Sequence, residues 1–214
     1  DCSSRGLGDV YKRQALIMVA CGGDTAEETV EVEEAAPEVV ETLDSPAVTT
    51  ASTVKTGVGV TSDPCPEVIG GIPTGADPSK GCIYLGLLND YTGPFGPYGI
   101  PLETGQRGFW LWANQSGGIG DYSVAIIEGY DTQYNPQKHL EGYKAIRGEV
   151  AALAMSLGTP QTQFILDDMD ADNMIAAPMS WYSGWSYKSS DRGLVVEFGA
   201  AYCADGMNAV DWAM

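Results

Sequence analysis

The stretch CIYLGLL, residues 82–88, decides the fold of this chain. It is an unbroken apolar run, which is typical of a strand buried on both faces of a parallel sheet. A loop rich in glycine and proline follows at residues 89–101, and the apolar spacing beyond it predicts a helix from Leu102 to Asn114. The pair Gly117-Gly118 would end that helix.

The same alternation continues toward the carboxyl terminus. Apolar segments predict four more strands, at residues 122–128, 150–155, 174–177 and 194–198. Two more helices are predicted between them, one beginning at Asn135-Pro136 and running to about Arg147, the other at Gly158-Thr159-Pro160 and running to about Asp168. Strands that alternate with helices at this spacing predict an α/β fold with a doubly wound, mostly parallel sheet. Ligands of such sheets bind at the carboxyl ends of the strands, so the loops that follow the strands are the candidate site.

Residues 22–81 have a different composition from the rest. They carry twelve acidic residues, two basic residues and no aromatic residue, so the segment has a high net charge and little to bury. This composition predicts a disordered acidic tether ahead of a folded domain at residues 82–214. The alternative for part of it is a short amphipathic helix around residues 25–42.

The composition of the whole chain narrows its function. Eleven basic and 29 acidic residues give a formal net charge of −18, which repels phosphate backbones and argues against nucleic-acid binding. His139 is the only histidine and the chain has no CxxC pair, so we predict no metal, no cofactor and no enzymatic activity. His139 itself is predicted to be a surface residue of a helix.

The first 21 residues look like processing segments rather than part of a fold. Residues 1–14 (DCSSRGLGDVYKRQ) resemble a translated adapter sequence, and residues 15–21 (ALIMVAC) look like the end of a bacterial lipoprotein signal peptide. Cys21 is therefore predicted to be the lipid-anchored residue of an exported protein; the alternative is a core strand with a buried cysteine. Export to an oxidising space predicts a disulfide between Cys65 and Cys82, which would close a loop of about 18 residues.

Four motifs of the predicted domain occur in the order found in one known family. They are GLLNDYTGPFGPYG (residues 86–99), NQSGGI (114–119), YDTQYNP (130–136) and SLGTPQT (156–162). In these motifs the chain resembles the first lobe of the type I periplasmic substrate-binding proteins, in particular the ABC-transporter receptors for branched-chain amino acids and amides. The resemblance covers residues 82–214.

The resemblance implies a ligand-binding cleft made by the loops after the strands. Thr159 and the backbone after Gly158 match the family's carboxylate-binding residues, and Ser156 offers a second hydroxyl in reach. Tyr98 matches the aromatic residue that closes over the ligand side chain. The loop after the fourth strand matches at three further positions, Met179, Ser180 and Trp181. Two alternatives stay open, because the two hydroxyls could serve only to cap a helix and Tyr98 could be an exposed loop residue.

The resemblance also implies a function and a location. The function is that of the extracytoplasmic solute-binding component of an ABC transporter, which captures a small polar solute such as a branched-chain amino acid or amide and delivers it to a membrane permease. The alternative is the ligand-sensing domain of a signalling receptor with the same fold. Members of the family have a second lobe, so we expect this chain to be truncated at both ends. An aromatic cluster at Trp181, Tyr182 and Trp185 could bind an aromatic or quaternary-ammonium ligand or pack against that second lobe.

Overall fold

The computed structural model describes residues 55–187, 191–197 and 199–214. The predicted adapter sequence, the predicted signal remnant with Cys21, and the predicted tether as far as residue 54 lie outside the described residues. No helix within the described residues has the length and apolarity needed to cross a bilayer.

Residues 55–81 are folded, so the predicted end of the tether at residue 81 is wrong. They contain the short strand β1 (Val60–Thr61) and a hairpin of β2 (Val68–Ile69) and β3 (Ile72–Pro73). A disulfide joins Cys65 to Cys82, the same pair as in the sequence-based expectation, with an S–S distance of 2.01 Å. Both cysteines are buried against Ala125 of the sheet. The segment therefore needs no aromatic residue of its own, because a covalent link worth about 3 kcal/mol and the neighbouring sheet hold it.

The sheet is built around β4 (Gly81–Asn89), which contains the predicted apolar run. Three strands pair with it in parallel, namely β5 (Tyr122–Ile126), β6 (Tyr130–Asp131) and β7 (Ala152–Ser156). The strand β8 (Ala176–Pro178) extends the sheet in parallel beyond β7, and β1 pairs antiparallel with the start of β4. The predicted α/β class with a mostly parallel sheet is confirmed.

The predicted fifth strand is reduced to one parallel bridge between Val195 and Ala176. Two hydrogen bonds hold it, from Ala176 N–H to Leu194 O and from Val196 N–H to Ala176 O, each 2.9 Å long. The ladder does not extend because β8 ends at Pro178, which has no N–H to donate.

Helices occupy the predicted positions with different bounds. The helix α1 (Gly96–Gln115) begins at Gly96 rather than Leu102. Pro97 lies in its first turn, where a proline loses no hydrogen bond, and Pro101 lies inside the helix without ending it. The helix α2 (Pro136–Ile146) begins as predicted after Asn135, whose side chain accepts hydrogen bonds from the N–H groups of Gln137 and Lys138. The last helix of the described residues is α5 (Tyr202–Ala213).

The helix predicted after Gly158 is broken at Ile165. It forms α3 (Thr159–Phe164) and α4 (Leu166–Asp172), and a short 3₁₀ helix (Ser183–Ser186) follows β8. The bend at Ile165 turns Leu166 and Met169 into the same core that buries Ile165. Burial of these three side chains offsets the intrahelical hydrogen bonds that the break removes.

Two cores lie on opposite faces of the sheet, as a doubly wound fold requires. Neighbouring residues of β4 point into different cores, because side chains of a strand alternate in direction. Leu88 packs with Tyr143 of α2 and with the core around Ile165. Leu87 packs with Met155 beneath α1. Both faces of the central strand are covered, and because the paired strands are parallel, the loops after them open at one edge of the sheet.

Candidate functional site

A cavity of about 600 Å³ opens at the carboxyl ends of the parallel strands. Five of the seven predicted ligand-binding residues line it, namely Tyr98, Thr159, Met179, Ser180 and Trp181. They lie far apart along the chain, and they meet because the carboxyl ends of parallel strands share one edge of the sheet.

Six further residues line the cavity, and the sequence-based reasoning did not name them as ligand-binding residues. They are Phe95, Pro101, Leu102, Tyr134, Leu157 and Tyr202. Phe95 and Tyr134 stand inside two of the quoted motifs, so the motifs themselves were the signal for them. Tyr202 has no such signal. It enters the cavity because the first turn of α5 is held to the loop after β8, where the Tyr202 N–H donates to Trp181 O at 2.7 Å.

Five of the lining residues are aromatic and form what we call the aromatic arc, namely Phe95, Tyr98, Tyr134, Trp181 and Tyr202. The Phe95 ring stacks on Tyr134 with a centroid distance of 4.1 Å and lies 6.1 Å from Tyr98. Trp181 meets Tyr202 edge to face at 6.2 Å. The rings contact one another in these pairs, so the arc forms a broad apolar wall with edge and face positions open to the cavity.

The loop that carries Phe95 is fixed by a buried carboxylate. Asp90 is completely buried, and its two oxygens accept the N–H groups of Gly93 at 2.6 Å and Phe95 at 2.7 Å. A second carboxylate, Asp131, accepts the Tyr91 N–H at 3.0 Å and the Thr92 hydroxyl at 2.6 Å. The loop after β4 and the loop after β6 are thereby joined, which brings Tyr134 against Phe95.

Two predicted ligand-binding residues, Ser156 and Gly158, do not line the cavity. Ser156 is completely buried, and its hydroxyl lies 2.9 Å from His139 Nε2 and 2.7 Å from Thr162 Oγ1. Thr162 Oγ1 in turn lies 2.9 Å from Gly158 O. We call His139, Ser156, Thr162 and Gly158 the polar support, because this chain of hydrogen bonds runs beneath the loop that carries Thr159.

The direction of these hydrogen bonds follows from the carbonyl oxygen at the end of the chain of bonds, Gly158 O. A carbonyl oxygen can only accept, and both carbonyls near Thr162 Oγ1 are acceptors, Gly158 O at 2.9 Å and Ser156 O at 3.2 Å, so Thr162 donates its hydroxyl hydrogen to a carbonyl, with Gly158 O the nearer. Ser156 must then donate to Thr162, and the Ser156 oxygen accepts from His139 Nε2–H. The hydrogen of Ser156 thus points into the support and away from any ligand.

The polar support also orients the peptide between Gly158 and Thr159. Gly158 O accepts both the N–H of Thr162, at 3.0 Å, and its hydroxyl. In a trans peptide the N–H points opposite to the carbonyl, so the Thr159 N–H is directed away from the body of α3. Gly158 has φ 104°, a conformation open to glycine, and a Cβ there would lie 2.2 Å from Gln161 Oε1.

His139 is buried, so its predicted surface position is wrong. It lies on the inward face of α2 together with Gly142, Tyr143 and Ile146, the spacing of one helix face. Burial lowers the pKa of His139 to about 3, so the imidazole is neutral at neutral pH. Its Nδ1 has no hydrogen-bond partner, which agrees with the Nε2–H tautomer because a bare nitrogen costs less to bury than a donor.

The predicted aromatic cluster separates into two environments. Trp185 is buried in the core, and its Nε1–H donates to Ser180 Oγ at 3.1 Å. Tyr182 meets Trp185 edge to face at 5.4 Å, and of the three only Trp181 lines the cavity. Trp185 thus supports the loop that carries Ser180 and contributes no surface to a ligand.

A second apolar groove, of about 880 Å³, lies between α1 and the edge of the sheet at β8. Its aromatic residues are Phe109 and Trp110, and Met179 is the one predicted ligand-binding residue that reaches it. Although this groove is larger than the cavity, it brings together none of the predicted hydroxyl groups. Within the part of the chain that the structure describes, no cluster of His, Cys, Asp and Glu is arranged to hold a metal ion.

Comparisons with known proteins assign the chain to a family. The family model described as periplasmic binding protein matches residues 82–214, more than half of the chain. A fatty acid ABC transporter substrate-binding protein from Thermomonospora curvata is similar in structure, with 26% sequence identity and a TM-score of 0.57 over 73% of this chain and 36% of that chain. No curated protein matches the chain.

Two further solved structures share the fold at lower identity. A branched chain amino acid ABC transporter protein from Thermus thermophilus with bound valine is 14% identical, with a TM-score of 0.56 over 63% of this chain and 35% of that one. An ABC transporter substrate binding protein from Aeropyrum pernix is 23% identical, with a TM-score of 0.54 over 62% and 34%. The chain thus spans about a third of the length of these proteins. Because the family model matches more than half of the chain, the chain belongs to the periplasmic binding protein family.

Proposed function

We propose that this member of the periplasmic binding protein family is the solute-binding component of an ABC transporter, which captures a small polar solute outside the cytoplasm and delivers it to a membrane permease. Among such solutes we propose those with a carboxylate or amide end, such as a branched-chain amino acid or its amide. One observation carries this proposal: Tyr98, Thr159, Met179, Ser180 and Trp181 come together on one cavity at the carboxyl ends of the strands.

The chemistry of the cavity supports such a ligand. Thr159 offers a hydroxyl and a backbone N–H that the polar support orients, and both can donate to a carboxylate or amide oxygen. The aromatic arc and the aliphatic residues Leu102 and Leu157 offer apolar surface to the rest of the solute. Sites for small molecules commonly combine a mostly apolar wall with a few placed polar groups.

A titration with L-leucine followed by NMR chemical shifts tests the proposal, because this method detects weak binding. We expect shifts at Thr159 and around the aromatic arc, and loss of binding in Thr159→Val, which removes the hydroxyl but keeps the side-chain shape. Thr104→Val is the matched control, since Thr104 is exposed on α1 and donates only to Ile100 O. Equal binding by both variants, or shifts confined to the groove beside Phe109, would refute the assigned site.

We also propose that the protein is held at the outer face of a membrane through Cys21, in keeping with the location of its family. The support is the sequence alone, where Ala20-Cys21 closes an apolar stretch ahead of the acidic segment. Stable anchoring needs more than one acyl chain, so a multiply acylated Cys21 is expected. Metabolic labelling with a fatty-acid analogue should mark the protein, and labelling that survives Cys21→Ser would exclude this anchor.

A further inference from the structure

The aromatic arc is a densely aromatic surface without a charged side chain. Five of the eleven residues that line the cavity are aromatic, and none is charged. Five lining side chains carry a neutral hydroxyl, namely Tyr98, Tyr134, Thr159, Ser180 and Tyr202, and Ser180 Oγ already accepts the Trp185 indole N–H. A charged group of a ligand that faces the arc therefore meets ring faces and ring edges rather than an ionised side chain of these residues.

A buried carboxyl group lies behind the arc. Asp90 is completely buried, its oxygens accept only backbone N–H groups, and no ion pair of the described residues involves it. Burial chiefly, together with Tyr202 and Asp90, raises the pKa of Tyr134, which places the carboxylate within electrostatic range of the arc. A carboxylate behind electron-rich rings favours a cation in front of them.

The absence of a carboxylate among these lining residues distinguishes two kinds of cation. A primary ammonium that leaves water must give three N–H groups to acceptors, and the side chains of the arc offer only neutral phenol oxygens. A quaternary ammonium has no N–H group, so its methyl groups can pack on the rings without an unsatisfied donor. Its charge is then stabilised by the ring quadrupoles, with the Asp90 carboxylate behind them.

We infer that the solute of this cavity carries a quaternary or fully alkylated ammonium group, which the aromatic arc binds while Thr159 holds a carboxylate at the other end. The inference rests on the proposed function, since it names the substrate class of the same cavity. Its ligands are betaines, compounds in which a trimethylammonium group and a carboxylate are joined by a short chain.

Pairs of isosteric probes test the charge separately from the shape. Glycine betaine and 3,3-dimethylbutanoate differ only in a nitrogen cation replaced by carbon, and γ-butyrobetaine and 5,5-dimethylhexanoate form a longer pair. Each pair shares its carboxylate, so any difference in affinity belongs to the cation. By NMR titration we expect the betaine of at least one pair to bind about tenfold more tightly than its neutral partner.

Substitutions in the arc decide whether the rings cause that preference. Tyr134→Leu should reduce the ratio of the two affinities to near one, while Tyr134→Phe, which keeps the ring, should retain it. Leu102→Ala is the control, because Leu102 lines the same cavity without a ring, and it should weaken both members of a pair alike. A preserved amide NMR spectrum establishes that each variant is folded.

The outcomes separate this inference from the proposed function. Equal or tighter binding of the neutral partners, or a ratio that survives Tyr134→Leu, overturns the inference and leaves carboxylate capture at Thr159 intact. Binding of L-leucine but of neither betaine also overturns it while the proposed function stands. If none of these carboxylates binds, both are wrong.

Discussion

The polar support and the aromatic arc bound the same cavity but are built in opposite ways. The members of the polar support are buried and joined by hydrogen bonds, and they fix the backbone that presents Thr159. The rings of the arc are partly exposed, with Tyr98 at 65% and Tyr202 at 53%, and they contact one another in pairs. Changes in the support should therefore alter the free energy of unfolding, and changes in the arc should alter binding alone.

The largest effect is expected at Gly158. Gly158→Ala places a Cβ 2.2 Å from Gln161 Oε1 and 2.7 Å from Tyr134 Cε2, at a backbone φ of 104°. Strain at such a φ and displacement of buried neighbours should together lower the free energy of unfolding by about 3 kcal/mol. Denaturant titration measures this loss.

Gly105→Ala is the matched control for that substitution. Gly105 lies in α1 with open space where the Cβ would stand. Alanine there should stabilise the protein by about 0.5–1 kcal/mol, because it removes backbone freedom from the unfolded chain. If the two alanine variants were equally stable, the geometry of the polar support at Gly158 would be wrong.

The second effect is a dependence of stability on pH that originates at His139. The folded-state pKa, about 3, is below the unfolded value of about 6.5, so the unfolded chain binds the proton first as pH falls. This contribution is absent above pH 7 and should cost about 2 kcal/mol of stability by pH 5.

His139→Gln isolates this histidine from the carboxylates that titrate in the same range. Glutamine keeps an N–H donor for Ser156 but takes up no proton. The stability difference between wild type and variant should therefore shrink by about 2 kcal/mol between pH 7.5 and pH 5. A difference that stays constant over this range would place His139 outside the buried environment described here.

Much of the sheet could be predicted from the sequence, because its signals are local. The run at residues 82–88 is apolar without interruption, and Asn135-Pro136 and Gly158-Thr159-Pro160 begin helices as predicted. The cavity-lining positions in the loops could be predicted as well, since the strand ends that carry them must meet at one edge. What these positions share is a place in sequence next to a strand.

Other features depend on contacts between distant residues and left no such signal. The pairing of His139 with Ser156 joins a helix to a strand 17 positions away, and nothing in either local sequence indicates it. Tyr202 enters the cavity only because its N–H meets Trp181 O. Residues 55–81 looked like part of the tether because their composition is polar and free of aromatic residues, whereas their order comes from the disulfide and the neighbouring sheet.

The third effect tests the polar support as a unit. Ser156→Ala leaves the His139 Nε2–H without an acceptor in a buried site and removes the hydroxyl that donates to Thr162 Oγ1, which should together cost about 1–3 kcal/mol. Because Ser156 and Thr162 share a hydrogen bond, Ser156→Ala combined with Thr162→Val should cost less than the sum of the single changes. Additive losses in a double-mutant cycle would show that the two hydroxyls act independently.

The smallest effect on stability is expected at Tyr98, and this substitution distinguishes the polar support from the aromatic arc most clearly. Tyr98 is largely exposed and touches Phe95 at a centroid distance of 6.1 Å, so Tyr98→Ala should change the free energy of unfolding by less than about 0.5 kcal/mol. The loss of one ring from the arc should nevertheless weaken binding of glycine betaine about fivefold, since an aromatic contact is worth about 1 kcal/mol. Phe109→Ala is the control, because Phe109 is an exposed aromatic residue of the other groove and its loss should leave betaine binding unchanged. A Tyr98→Ala protein that binds as wild type does, or that loses as much stability as the Ser156→Ala protein, would remove the distinction between the polar support and the aromatic arc.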